Sequence, residues 1–209
     1  MVVLPWQDMI RGMKKTLRVS IFCCWAAFLG ITGGSEASTF IFSQDNSAIN
    51  GSIGYTLVGK YQAAFGQFEG EIRFNDKSEA IESVVLKINA SSIQSKHPSL
   101  DRIVKSQRIL DVQSFPGIIF ESTDIVSDAA GCHRATGNLT LHGVTRTISF
   151  PFSFEILRPE GAAGQLQASG TWVIPRKEYG IIWNKILDKG GIIVGNHITV
   201  DWRILAGKI

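Results

Sequence analysis

Along most of this chain apolar and polar residues alternate with a period of two. That period describes an extended strand with one dry face and one wet face. Between residues 47 and 58, Ile49, Ile53, Tyr55 and Leu57 share one face, and Asn50, Ser52 and Thr56 share the other. Phe68, Ile72 and Phe74 oppose Glu69, Glu71 and Arg73. Val84, Leu86 and Ile88 oppose Lys87 and Asn89, with Val85 as an apolar exception. Leu139 and Leu141 oppose Asn138 and Thr140, and Ile148, Phe150, Phe152 and Phe154 oppose Ser149, Ser153 and Glu155. Trp172 and Ile174 follow, and Ile198, Val200, Trp202 and Ile204 oppose Thr199, Asp201 and Arg203.

The connections carry turn chemistry: Asn75-Asp76-Lys77, Asp128-Ala129-Ala130-Gly131, His142-Gly143 and Arg158-Pro159-Glu160-Gly161. Consecutive strands joined this way form an antiparallel meander. About eight strands, each dry on one side only, can protect their edges by closing into an antiparallel β-barrel. A two-sheet sandwich satisfies the same periodicity. Two stretches break the pattern. Pro98 to Val112 places Leu100, Ile103 and Val104 at helical spacing behind Ser99, a candidate N-cap, and predicts a short helix. Tyr179 to Val194 clusters Ile182, Trp183, Ile186 and Leu187 between charged residues. That cluster is expected to be either a lid or membrane-touching portal, or a closing turn packed on the barrel end.

The first 37 residues are expected to be a secretory signal peptide starting at Met13, with the barrel domain spanning 38–209. Lys14, Lys15 and Arg18 precede a mostly apolar run from Val19 to Ile31, and Ser35-Glu36-Ala37 offers small residues for cleavage. A retained N-terminal anchor is the alternative. Arg11 with those three cations, against Asp8 and Glu36, leave with the leader, so the net charge falls from +3 to +1. A nearly neutral domain lacks the electrostatic footprint of a nucleic-acid binder. Only Cys132 remains after removal of Cys23 and Cys24, so no intramolecular disulfide is expected in an exported chain.

Candidate chemistry is sparse. His97, His133, His142 and His197 lack the spacing of a local metal site, and no cofactor is expected. No serine lies in a G-x-S-x-G elbow. His142-Gly143 between two alternating runs reads first as a hairpin turn, with a head-group contact as the second reading. The dry faces are either a core packed on itself or the lining of a ligand cavity. Residues 47–58, if fully extended, would span about 40 Å. Gly51 and Gly70 on the inward faces leave room and favour a cavity.

The motifs T-G-N-L-T-L-H-G-V-T (136–145), D-V-Q-S-F-P-G-I-I-F-E-S (111–122) and F-G-Q-F-E-G-E-I (65–72) resemble those of the YceI-like proteins. So do Ser92-Ile93, Leu100-Asp101 through Ser106, Arg176 through Ile181, and V-G-N-H-I (194–198). The resemblance runs from about Phe40 to Ala206. Ser43, Asn46, Leu100, Ile103 and Ala63 depart from the residues usual in that family. The resemblance implies an exported lipid-binding, lipocalin-like β-barrel, periplasmic or secreted, that holds a polyisoprenoid, quinone tail or fatty amide without turning it over. A transient membrane contact and a homodimer are further expectations. The lining is expected to comprise Ile49, Ile53, Tyr55 and Leu57 early in the chain, then Phe120, Leu139, Leu141, Phe150 and Phe152, and finally Trp172, Val200 and Trp202. His142 and Arg176 are candidate head-group contacts, and Ile182, Trp183, Ile186 and Leu187 the candidate portal. An enzyme of the same fold would need convergent polar groups inside the barrel, and a filled-core interaction module would take up no lipid.

Overall fold

The computed structural model describes residues 37–55, 59–127, 132–158, 161, 163–183 and 194–209. The alternating segments are strands, and they close. In chain order they are β1 (Ala37–Ser43), β2 (Ala48–Tyr55), β3 (Gly59–Phe65), β4 (Phe68–Asn75), β5 (Ala80–Asn89) and β6 (Ile93–Ser95). After a helix come β7 (Gly117–Ser127), β8 (His133–Leu141), β9 (Val144–Leu157), β10 (Gln165–Pro175) and β11 (His197–Lys208). The pairing order β1-β4-β5-β7-β8-β9-β10-β11 returns to β1, which makes a closed antiparallel barrel of eight strands; β2, β3 and β6 continue from β11 as a branch.

The branch has a simple origin. β1 and β2 are two halves of one bent strand, and β3 and β4 are two halves of the next. β11 meets both halves of the first: Thr199 to Arg203 pair with β2, and Gly207 and Lys208 pair with β1. At the bend the ladder is interrupted, and the Ser47 hydroxyl accepts the Leu205 N–H at 3.0 Å in its place. Gln44 does the same for the neighbouring bend, its side-chain oxygen accepting the Phe68 N–H at 3.1 Å. Both contacts satisfy backbone donors that a bend would otherwise leave without a partner.

β5 follows β7 only as far as the Asn89–Gly117 pair. Beyond it the chain turns through Ala90–Ser92 into β6, which pairs with β3. The gap between β6 and β7 is occupied by helix α1 (Pro98–Lys105) and the turns after it. The helix begins two residues earlier than a Ser99 cap would place it: His97 is the N-cap and Pro98 occupies the first turn, where its fixed φ and missing N–H cost nothing. Ser99 is therefore not the cap. The helix also stops well before Val112, because the Ser106 hydroxyl donates back to the Ile103 carbonyl at 2.6 Å and the chain turns off.

Inward residues form one apolar cluster from Phe40 and Phe74 at one end to Tyr179 and Ile181 at the other. Ser52, assigned to a wet face, is nevertheless buried. Its short side chain sits between the cross-strand partners Gln62 and Thr199, both longer.

His142 and Gly143 form the two-residue turn between β8 and β9, with Leu141 opposite Val144. Both turn residues have positive φ, 52° and 72°, the requirement of a type I′ hairpin. A Cβ on Gly143 would also sit 2.5 Å from the Phe115 ring. Gly143→Ala is therefore expected to lower unfolding stability by more than about 1 kcal/mol, read from denaturant melts. An unchanged midpoint would contradict this account of the turn.

Candidate functional site

The end of the barrel that strands do not close contains a cavity of about 320 Å³. Its wall is almost wholly apolar, and its sides come from β2, β3, β5 and β6, from α1 with Arg108 to Leu110, and from β7, β8, β10 and β11. Of the expected lining, Ile49, Ile53, Tyr55, Phe120, Leu139, Leu141, Trp172 and Val200 stand in this wall. Phe150, Phe152 and Trp202 do not. They line a second cavity of about 60 Å³ on the far side of Phe120 and Trp172, so the interior is two chambers and not one tall tunnel. Leu57 lies outside the described residues.

The two inward glycines behave differently. A Cβ built on Gly51 meets nothing within 4 Å, because that position faces the open chamber. A Cβ on Gly70 would collide with the Phe42 ring, so the room Gly70 leaves is already filled by a neighbour. The expectation of space at Gly70 is thereby corrected.

Several wall residues escaped the reading of the sequence. Tyr61 and Phe65 come from β3, whose alternation is blurred by Ala63 and Ala64. Leu110 stands in the wall from a segment read as a continuing helix. The signal for β3 was present in Tyr61-x-Ala63-x-Phe65, an inward series weakened by a small residue.

α1 is fastened over the chamber by a polar staple. Asp101, buried on its inner side, accepts hydrogen bonds from the Tyr61 hydroxyl at 2.9 Å, the Ser95 N–H at 2.9 Å and the Ser95 hydroxyl. Burial pushes the carboxyl up, but the bonds from Ser95 and Tyr61 outweigh it and hold the group below the usual carboxylate range. Tyr61 is pushed up, by burial first and then by its bond to Asp101.

Arg176 stands in the chamber wall and is 2% exposed. Its guanidinium donates to the carbonyls of Gly195 at 2.7 Å, of Val194 at 3.2 Å and of Ile181. The guanidinium thereby ties together the backbone at Ile181 and at Val194 and Gly195. Burial lowers the Arg176 pKa from its ordinary value. The exposed cation at the chamber wall is Arg108, which the sequence reading did not single out.

His142 is not in the wall. Its place on the hairpin turn sets its Nδ1 3.0 Å from the Tyr179 carbonyl, which makes it the donor, and its ring 4.7 Å from Phe115. His142 is a turn residue, the first of its two readings, and it ties that turn to the neighbouring Arg176–Tyr179 turn. Of the portal residues, Trp183 reaches the chamber wall and Ile182 is 70% exposed beside it. Ile186 and Leu187 lie outside the described residues. Among the described residues, no three His, Cys, Asp or Glu side chains gather as a metal site.

A small antiparallel barrel with a deep apolar chamber at its helix-covered end is the class that fold and site define. Residues 40–206 match the YceI-like domain, and the chain belongs to that family. A UPF0312 protein of Vibrio cholerae is 27% identical over 172 residues, covering 81% of this chain and 89% of that one. A UPF0312 protein of Yersinia enterocolitica is 35% identical over 97 residues, 46% of this chain and 48% of that one. Among solved structures, BcnA of Burkholderia cenocepacia superposes with a TM-score of 0.64 at 20% identity, over 76% of this chain and 95% of that one. A polyisoprenoid binding domain from Saccharophagus degradans, implicated in plant cell wall breakdown, superposes at 0.56 and 12% identity, over 83% and 98%. At these identities the two structures establish the shared fold.

The staple predicts a pH dependence. Because the Asp101 pKa is lowered by folding, its contribution is full above the ordinary carboxylate range and is lost as pH falls through the lowered value. Asp101→Asn is expected to cost about 2 kcal/mol at neutral pH. The gap to wild type should close on acidification in paired urea titrations. A gap that stays constant with pH would contradict the staple.

Proposed function

We propose that this protein is exported, to the periplasm or beyond the cell, and holds the hydrocarbon chain of one isoprenoid or related long-chain lipid as a carrier or sink. The observation that carries this reading is the apolar-walled chamber of about 320 Å³. A chain that enters gains about 0.8 kcal/mol per buried methylene, less the entropy of ordering it.

Three further observations support the reading. The solved Saccharophagus degradans structure named as a polyisoprenoid binding domain shares the fold. Polar groups at the wall are few, and Tyr61 and Arg176 are engaged with Asp101 and with backbone carbonyls, which suits binding better than turnover. Ile103, 41% exposed on α1, also stands in the chamber wall, and Ile182 is exposed beside Trp183. Apolar side chains at that end suit transient contact with a lipid surface, and Arg108 is placed to meet an anionic or polar head group there. Export rests on the basic start, apolar run and small residues that precede the barrel.

The test is native mass spectrometry of the purified protein before and after solvent extraction. A one-to-one adduct whose released mass is that of a chain lipid is the expected result. A bare mass that stays unchanged when polyprenol, a prenylated quinone and a fatty amide are each offered would remove the assignment.

A further inference from the structure

The two chambers are separated by a built floor. Ile49, Leu86, Phe120 and Trp172 bound both the larger cavity and the smaller one. Trp172 is 9% exposed, and its ring lies 4.6 Å from Phe150, 6.1 Å from Phe120 and 6.4 Å from Trp202. Two of those supports are themselves seated over glycines. A Cβ on Gly137 would stand 2.7 Å from the Phe120 ring, and one on Gly170 would stand 2.7 Å from the Trp202 ring. The aromatic rings occupy the space of the missing side chains, an arrangement that fixes them against the sheet. Swinging the Trp172 indole aside would require its braced neighbours to move with it, because interiors packed at crystal density transmit such strain.

We propose that Trp172 is the residue that sets how much of a ligand's chain the barrel encloses, with a limit on the order of a dozen carbons. This rests on the lipid-chain reading above. The scale comes from an apolar cavity of about 150 Å³, which takes one benzene; a chamber of about 320 Å³ takes about twice that. Carbons beyond the limit remain at the mouth, beside α1 and Trp183, and gain little from the interior. The chamber beyond the floor, about 60 Å³, stays closed to the chain while Trp172 is in place.

Two substitutions move the limit in opposite directions. Gly51→Leu adds a side chain where nothing lies within 4 Å of the new Cβ, so it takes its space from the chamber. Trp172→Leu opens the floor and joins the chambers. The experiment measures dissociation constants of linear primary alcohols from C6 to C20 by displacement of a fluorescent fatty-acid probe, for wild type and both variants. Circular-dichroism melts confirm that each variant is folded.

For wild type, affinity is expected to rise about fourfold or less per methylene and flatten near C12. The break should fall several carbons earlier in Gly51→Leu and later in Trp172→Leu. A steady rise to C20 in wild type, or a break that stays in place in Gly51→Leu, overturns the proposal and leaves chain binding intact. A wild-type protein that binds the probe and no alcohol of any length overturns this proposal. One that takes neither probe nor alcohol overturns the lipid-chain reading together with it.

Discussion

The structure depends on β11 having two partners along one edge. A barrel strand needs both edges paired over its length, and β11, from His197 to Lys208, is longer than either β1 or β2. The chain meets this need by bending its first strand, so that β2 takes Thr199 to Arg203 and β1 takes Gly207 and Lys208. The Ser47 hydroxyl covers Leu205 between them. The next strand must bend in step, hence β3 and β4, and the one after that divides into β5 and β6. By then the mismatch is too large for β7 to follow, and the sheet parts at Asn89 and Gly117. The opening occupied by α1 is thus a consequence of how the ring closes.

Packing follows the same division. Below the floor, aromatic side chains fill the barrel: Phe40 against Phe74 at 6.0 Å, and Phe74 against Phe154 at 6.2 Å. Above it the wall is lined by aliphatic residues and Tyr55, Tyr61 and Phe65, with Gly51 leaving its share of space open. Stability and capacity therefore reside in different halves of one molecule. The dense half holds the strands in register. At the open half, polar contacts fasten the backbone: Asp101 holds α1, and Arg176 ties Ile181 to Val194 and Gly195.

The period of two made most of this legible in advance. It gave the strands, their inward faces and the meander, because burial on one face and solvent on the other leaves a direct mark on residue choice. β1 and β3 were harder. Phe40 and Phe42 lie close to the presumed leader, and β3 places Ala63 where a larger side chain would have announced the inward face. The division into two chambers left no mark in the sequence at all. Phe150, Phe152 and Trp202 have the same pattern as true wall residues, and only their positions in three dimensions put them beyond Trp172. Gly51 and Gly70 make the same point. Both are inward glycines, but whether the space is open or taken depends on a phenylalanine from another strand. His142 and Arg176 were chosen for chemistry that the backbone claims first.

The central claim is that the chamber between Gly51 and Trp172 is the seat of a lipid chain. The most direct measurement is a crystal structure of protein purified from its own host and never exposed to solvent extraction. The account predicts continuous, elongated density that enters beside α1 and Trp183, passes Gly51 and ends against the Trp172 ring. A chamber that is empty or collapsed, with wall side chains such as Leu110 and Ile53 meeting across it, would contradict the account and leave a barrel whose interior serves only its own stability.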